Sequence, residues 1–262
     1  MKLYPFLFAL LTPTVAFPLD AGPSADDLAL FATADVVIIG ETHDNPAHHD
    51  VQAQIVAALQ PAALVLEMLT PEQVAALTKD LPGYGAAWKE AGWPDYKMYL
   101  PIFTASNAEI FGAAVPRDVA RASYTDGVAA HFDGDVALFG LDQPLPTDQY
   151  DQRLDLQFFA HCEAMPRIAL GGMIEVQRLR DATLAKAAVD ALDQVGKPMV
   201  IITGNGHART DWGVPAMLRL ARSELVIISV GQAEDGNAPE GTFDLVYDAP
   251  SVDRPDPCDA FK

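Results

Sequence analysis

The sequence predicts an α/β protein with a mostly parallel open sheet, helices on both faces and an inserted helical portion. Two occurrences of one pattern predict this class: an apolar run, a polar turn beginning with glycine, and then a helix-like segment. The first occurrence starts at residues 35–39 and the second at residues 198–203. Runs without alternating polar residues are typical of strands buried on both faces of a parallel sheet.

The remaining elements follow from periodicity and from turn residues along the chain. Predicted strands cover residues 35–39, 63–68, 198–203, 225–230 and 243–247, the last as an edge strand. Predicted helices cover residues 50–59, 71–77, 148–195 and 214–222. The second and third of these helices are expected to form a helical cap, with Gly171-Gly172 as an interruption.

The first sixteen residues have the pattern of a secretory signal peptide: Lys2, then an apolar run, then the small residue Ala16. The run is shorter than the roughly 20 residues that a membrane-spanning helix needs. Cysteine is absent near the predicted cleavage point, so a lipid anchor is not expected. We therefore expect residues 17–262 to form one soluble domain, periplasmic or secreted, without a membrane span.

The charge of the chain limits its partners. With 36 acidic and 17 basic side chains, the formal net charge is -19 at pH 7. Such a chain repels the phosphate backbone of nucleic acids and anionic membrane surfaces. The sequence therefore predicts no nucleic-acid partner, and the acidity itself is explained by solubility.

The chain contains two cysteines, Cys162 and Cys258. An oxidising compartment favours a disulfide between them, which would attach the C-terminal tail to the body of the domain. The alternative is two reduced thiols that lie apart, since a bridge requires Cα atoms within about 7 Å of each other.

Polar residues follow three of the predicted strands. They occupy residues 41–45, Glu67 and residues 205–209, and two of these groups belong to Gly-x-x-His turns that end at His43 and His207. The carboxyl ends of parallel strands meet at one edge of the sheet, where ligands bind in open α/β folds. We therefore expect these groups to line one cleft.

Glu67 lies between apolar residues, and a buried carboxylate requires a partner. One alternative is structural, an ion pair with Arg209 or Arg117 that only stabilises the sheet. The functional alternative places Glu67 in a site with Glu41, His43 and His207, the mixed ligand set expected for a divalent metal. The same residues suit acid and base catalysis, with Glu41 or Glu67 as the base of a hydrolase.

Other side chains that could bind a ligand have simpler explanations. His48 and His49 precede a predicted helix and are expected to be solvated residues of its first turn. The aromatic residues between positions 81 and 99 are expected to pack in the interior. His161, beside Cys162, is expected to be an ordinary surface or packing histidine.

Several segments together resemble the ChaN-type haem-binding uptake family of the Tiki and TraB superfamily. They are residues 36–46 with His48-His49, residues 66–68, His161-Cys162, residues 177–181, residues 202–209 and residues 213–215. The resemblance runs from about residue 35 to residue 230 and implies an α/β core whose Glu and His turns line one cleft. The sequence lacks the lipobox cysteine of lipid-anchored members, which puts surface anchoring in doubt.

The resemblance implies an exported haem-binding protein of iron or haem uptake. Its partners would be haem, with haem-uptake components or a second copy of the chain as further candidates. The expected cofactor-binding residues are His43, His207, Asn205 and Arg209, and the spacing leaves the axial ligand open among histidine and tyrosine residues. The alternatives are a metal-dependent esterase or peptidase and a polar cluster that only stabilises the loops.

Overall fold

The computed structural model describes residues 22–261, so the predicted signal peptide at residues 1–16 lies outside the described residues. The helices are α1 Ala25–Phe31, α2 Pro46–Leu59, α3 Pro71–Lys79, α4 Gly85–Glu90, α5 Tyr96–Thr104, α6 Arg117–Asp126, α7 Thr147–Ala160, α8 Gly171–Val195, α9 Asn205–Ala208 and α10 Val214–Ala221. The strands are β1 Val36–Ile39, β2 Ala63–Leu66, β3 Glu109–Gly112, β4 Met199–Ile202, β5 Ile227–Glu234 and β6 Leu245–Ala249. No helix within residues 22–261 is long and apolar enough to cross a bilayer.

The six strands form one parallel sheet in the order β3-β2-β4-β1-β5-β6. Every residue of β1, β2 and β4 is buried, because helices cover both faces of the sheet. Their continuous apolar sequences follow from this burial. The predicted fold class is confirmed, and β6 is the edge strand that the sequence predicted.

Alternate residues of each strand point into two separate cores. Val36 and Ile38 belong to the core that contains residues of α8 and α10. Val37 and Ile39 belong to the opposite core, which contains residues of α1, α2, α3 and α5. The protein is therefore a sheet between two helical layers, and the segment from α3 to α5 is inserted between β2 and β3.

The long helical region differs from the sequence prediction at its break. Gly171 and Gly172 do not interrupt a helix; they are the first residues of α8, and the break lies at residues 161–170. A Cβ atom on Gly172 would collide with the backbone and ring of Tyr124, so this glycine permits the close packing of α6 on α8. Helix α8 also packs directly on β2, β3 and β4.

The C-terminal tail is attached to the body of the domain at two points. Cys162 and Cys258 form a disulfide with their Cα atoms 5.5 Å apart, which confirms the favoured pairing. Arg254 donates hydrogen bonds to the carboxylates of Asp44 and Glu234 at 2.6–2.9 Å. Asp44 directly follows His43, so the tail is held beside the first Gly-x-x-His turn.

Candidate functional site

Three adjacent strands end level with one another and carry the polar residues of the site. Ile39 of β1 and Leu66 of β2 are both paired with Ile202 of β4. The next residues along each strand lead to Glu41, Glu67 and Gly204. The register of the central strands therefore places the three polar groups side by side at the carboxyl edge of the sheet.

The first glycine of each turn lies against the other turn. A Cβ atom on Gly40 would lie 3.0 Å from the Cα atom of Asn205 and closer still to its side-chain oxygen. A Cβ atom on Gly204 would lie 3.2 Å from Nε2 of His43. The sequence of the turns thus permits backbone contact between segments more than 160 residues apart.

Glu41 holds His43 in one orientation. Nδ1 of His43 donates to Oε1 of Glu41 at 2.6 Å, and the hydroxyl of Tyr99 donates to the same oxygen at 2.5 Å. The side-chain amide of Gln52 donates to Oε2 of Glu41 at 2.7 Å. Glu41 is 2% exposed, so its charge is satisfied by protein groups rather than by water.

Glu67 lies between the two histidines of the turns. Its Oε2 atom accepts hydrogen bonds from the Thr203 hydroxyl at 2.7 Å and the Gly204 amide at 2.8 Å. Nε2 of His43 lies 4.0 Å from Oε2, and Nε2 of His207 lies 3.6 Å from Oε1. The partners of Glu67 are therefore these groups, and not Arg209 or Arg117 as the structural alternative required.

Asp181 extends the row of charges on the far side of His207. Nδ1 of His207 donates to Oδ1 of Asp181 at 2.6 Å, and both side chains are buried. Carboxylates and imidazoles consequently alternate across the site in the order Asp181, His207, Glu67, His43, Glu41. The four side chains that the sequence placed in one cleft lie together in this row.

The ionisation of His43 and Glu67 follows from their mutual contacts. Burial alone would lower the pKa of His43, but the hydrogen bond to Glu41 and nearby carboxylate charges raise it to about 9. Burial alone would raise the pKa of Glu67, but the charges of His207 and His43 and two hydrogen bonds lower it to about 2. At neutral pH, His43 is therefore cationic and Glu67 anionic.

The pKa values of Asp181 and His207, the buried pair behind Glu67, are both raised. Burial raises the pKa of Asp181 despite the opposing charge of His207. Burial opposes the charged form of His207, but the carboxylates of Glu67 and Asp181 outweigh it and raise its pKa. On the other side of the site, burial and the charge of Glu41 raise the pKa of Tyr99, which stays a neutral donor.

His48 and His49 were expected to be solvated, and that expectation is wrong. Both are completely buried. His48 accepts from the Thr42 amide through Nδ1 and lies 3.2 Å from the Ala233 carbonyl through Nε2. His49 donates from Nε2 to the His43 carbonyl oxygen at 3.0 Å. Both rings stabilise the turn that carries His43, because one face of the first turn of α2 packs inward while Pro46 and Asp50 stay exposed.

Asn205 and Arg209 lie next to the row but contact protein groups. The side chain of Asn205 exchanges two hydrogen bonds with the backbone of Gln232, at 2.9 Å each. Arg209 pairs with Asp211 at 2.6 Å and lies 3.5 Å over the ring of Trp212. Their assignment as cofactor-binding residues remains a prediction, since these side chains hold β5 and the loop after α9.

The predicted metal-binding set does not form a metal site. No group of three or more His, Cys, Asp or Glu side chains within residues 22–261 is arranged to hold a metal ion. The physical reason is the position of Glu41. Its carboxylate is bonded to Nδ1 of His43, to Tyr99 and to Gln52, and not placed at Nε2, the atom of His43 nearest Glu67.

A cavity of about 610 Å³ opens beside the row, and His43 and Glu67 form part of its wall. Its apolar lining includes Met68, Trp93, Ala113, Ala114 and Val115. The ring of Trp93 meets His43 edge to face at a centroid distance of 5.0 Å. The remaining large aromatic residues of this region, Tyr84, Trp88, Tyr96 and Tyr99, are buried in the core, as predicted.

Sequence reasoning did not identify Asp181, Tyr99 or Gln52 as site residues. All three lie in helices, where the chain alone does not show which residue faces the strand ends. Asp181 ends the segment 177–181, one of the segments on which the family resemblance was based. The resemblance of that segment to the family was the one sequence feature that pointed to Asp181 and to its neighbour Arg180 as site residues.

Comparison with known proteins identifies the family. A protein-family model described as haem-binding uptake, Tiki superfamily, ChaN matches residues 28–218. This chain belongs to the ChaN family. The match includes both Gly-x-x-His turns, Glu67 and Asp181, so the alternating row of this ChaN-family chain lies within the family domain.

A solved structure supports the fold of the ChaN-family chain. The structure of cofacial haem binding to ChaN of Campylobacter jejuni shares 21% identity with it, covers 84% of this chain and 89% of its own, and superposes with a TM-score of 0.62. The type III effector HopBA1 shares 14% identity, covers 92% of this chain and 100% of its own, and has a TM-score of 0.48. No curated protein sequence matches this chain.

Proposed function

We propose that this ChaN-family protein binds haem noncovalently in the cavity beside His43. The observation that carries the proposal is the state of the His43 ring, which combines a fixed Nδ1 with an Nε2 that makes no hydrogen bond within residues 22–261. The side chain of His43 is 32% exposed, whereas that of His207 is 9% exposed. His43 is therefore the histidine of the row that a ligand in the cavity can reach.

The composition of the cavity fits a porphyrin. Its volume of about 610 Å³ lies within the range of about 300–1,000 Å³ of pockets for small ligands and cofactors. Trp93 and Val115 offer apolar surface to a flat ring, and His43 offers a ligand atom. When bound, haem supplies an iron atom that accepts an axial ligand such as histidine.

Glu41 is suited to orient such a ligand. Metal-ligating histidines donate their second ring N–H to a carboxylate or carbonyl, which fixes the tautomer and increases ligand basicity. The 2.6 Å hydrogen bond from His43 to Glu41 has this form, and Tyr99 and Gln52 hold the carboxylate. His43 must release its second proton to act as a ligand, because its pKa is about 9.

An exported role in iron or haem uptake accompanies this proposal. The family description supports it with the words haem-binding uptake. The disulfide between Cys162 and Cys258 supports an oxidising compartment such as the periplasm or the extracellular space. Haem-uptake components and a second copy of the chain are the partners we propose for delivery and transfer.

Hydrolysis of an ester or peptide is the second function that a specific observation favours. Glu67 faces two imidazoles, each backed by another carboxylate, as in acid and base catalysis. The pKa of Glu67, about 2, makes this carboxylate a weak base at neutral pH. Haem binding is therefore the better supported of the two functions.

A titration of the purified protein with haemin tests the first proposal. We expect a shifted Soret band at one haemin per chain, and a changed spectrum with weaker binding in His43→Gln, whose amide can still donate to Glu41. His131→Gln is the matched control, because His131 pairs with Asp126 outside the cavity. The proposal is wrong if wild-type protein leaves haemin free, or if His43→Gln binds haemin with an unchanged spectrum.

A panel of chromogenic esters and peptides tests the second function. Measurable turnover that is lost in Glu67→Gln would favour hydrolysis. Absence of turnover across the panel, together with a Soret shift, leaves haem binding as the function of the site.

A further inference from the structure

The cavity contains an excess of cationic side chains, although the protein as a whole is strongly acidic. Arg117 and Arg180 line it together with His43, whereas its carboxylates are Glu67 and Glu90. Glu67 and His43 compensate each other within the row. Arg117 and Arg180 face only Glu90, so the lining has one uncompensated positive charge, in a chain with 36 acidic and 17 basic residues.

The two arginines have few partners in the protein. Arg180 is half-buried and makes no hydrogen bond or ion pair with the residues of the described chain 22–261. Arg117 donates one hydrogen bond, to the Ala91 carbonyl at 3.2 Å. A guanidinium has five N–H donors, so most donors of this pair remain available for a ligand.

Arg178, on the same helix, makes the contacts that are typical of a structural arginine. It lies two residues before Arg180 and is 5% exposed. It pairs with Glu175 at 3.1 Å and donates to the carbonyls of Gly140 and Gln143. A cation that is partly removed from water without such partners is unfavourable, so Arg180 is suited to an anion that enters the cavity.

We propose that Arg117 and Arg180 form a carboxylate-binding site at the mouth of the cavity and hold the propionate groups of haem. This inference rests on the proposed function. The planar guanidinium binds a carboxylate through two parallel hydrogen bonds, which makes arginine specific for such groups. Arg117 begins α6 and Arg180 lies in α8, and these helices pack together, so both groups have rigid supports.

The two arginines lie at the outer end of the cavity, and His43 and Met68 lie at its inner end. His43 and Met68 lie at the strand ends, and Met68 is completely buried. Arg117 is exposed, and Arg180 is half-buried. A bound porphyrin would thus present its centre to His43 and Trp93 and its acidic edge to the two arginines.

A comparison of haemin with its dimethyl ester tests the inference, because the ester removes both carboxylate charges and keeps the ring and iron. We expect Arg117→Gln and Arg180→Gln each to weaken haemin binding about tenfold, and both to leave binding of the dimethyl ester unchanged. The charge-matched control is Lys89→Gln, because this lysine lines a second cavity of about 650 Å³ that also includes Trp93. We expect the control to bind haemin like wild-type protein.

The outcomes separate the inference from the function on which it rests. If wild-type protein binds haemin and the arginine variants bind it equally well, the carboxylate site is wrong and haem binding stands. Equal losses for haemin and its ester in the arginine variants also overturn the site, as does a loss confined to the lysine variant. If wild-type protein binds neither ligand, both proposals fail.

Discussion

Nδ1 of His207 lies 2.6 Å from Oδ1 of Asp181, which places a helix residue behind the second Gly-x-x-His turn. Both side chains are buried, at 7% and 2% exposure. The contact fixes the imidazole so that its Nε2 atom faces Glu67 at 3.6 Å. Asp181 therefore acts on the cavity only through His207, as a positioning residue.

Substitution of Asp181 by Asn is expected to lower the free energy of unfolding by about 3 kcal/mol, because it leaves His207 buried without its charged partner. The pKa of His207 should also fall, since the Asp181 charge helps to raise it. Urea unfolding and an NMR titration of the histidines measure the two effects. Asp190→Asn is the control: Asp190 pairs with Lys186 on the exposed face of α8, and a change within about 0.5 kcal/mol is expected. Equal stability of the two variants would contradict this role.

The sequence allowed the central sheet to be predicted, because strands covered on both faces consist of continuous apolar residues. It did not reveal β3, whose residues Glu109–Gly112 are partly exposed and end in glycine. It also did not reveal α5, which contains Pro101. These elements depend on tertiary contacts, with β2 for the strand and with α2 for the helix.

The candidate site could be predicted in part for a related reason. Glu41, Glu67 and His207 follow strands, and the ends of parallel strands share one edge of the sheet. Asp181 and Tyr99 come from helices, where the orientation of each residue depends on packing that the chain alone does not show. The burial of His48 and His49 was missed because one face of the first turn of α2 packs against residues far along the chain, including Ala233.

The free energy of unfolding of the ligand-free protein is expected to depend on pH through His43 and Glu67. The pKa of His43 rises from 6.5 to about 9 on folding, so its stabilising contribution is complete below pH 6.5 and is lost as pH rises through about 9. The pKa of Glu67 falls from 4.5 to about 2, so its contribution is complete above pH 4.5 and is lost as pH falls through about 2.

Urea unfolding between pH 2 and pH 10 measures this dependence. His43→Gln should remove the decline between pH 6.5 and pH 9 that His43 causes, while His131→Gln should retain it. If the difference in stability between wild-type protein and His43→Gln is the same at pH 6 and pH 9.5, the raised pKa of His43 is refuted.

Substitution of Gly40 by Ala is expected to separate the two turns. The new Cβ atom would lie 3.0 Å from the Asn205 Cα atom, so one backbone must move, at a cost of about 1–3 kcal/mol in unfolding free energy. Gly206→Ala is the control within the second turn, because no atom lies within 4 Å of its added Cβ atom. There we expect no loss, or a gain of up to about 1 kcal/mol. Urea unfolding should show lower stability, and haemin titration weaker binding, for Gly40→Ala than for Gly206→Ala. Equal behaviour of the two variants would contradict the contact between the turns.

Removal of the disulfide is expected to destabilise the protein by about 2–4 kcal/mol, because Cys162 and Cys258 are 96 residues apart and the bridge restricts a long loop in the unfolded chain. Urea unfolding of Cys162→Ser/Cys258→Ser, and of wild-type protein with and without a thiol reductant, measures the effect. The reductant should act on wild-type protein and leave the double variant unchanged. Arg254 still ties the tail to Asp44 after reduction, so the haemin affinity of the folded protein should remain within about twofold of the oxidised form. A larger loss of affinity would mean that the bridge itself, and not the ion pairs of Arg254, holds the turn of His43 in place.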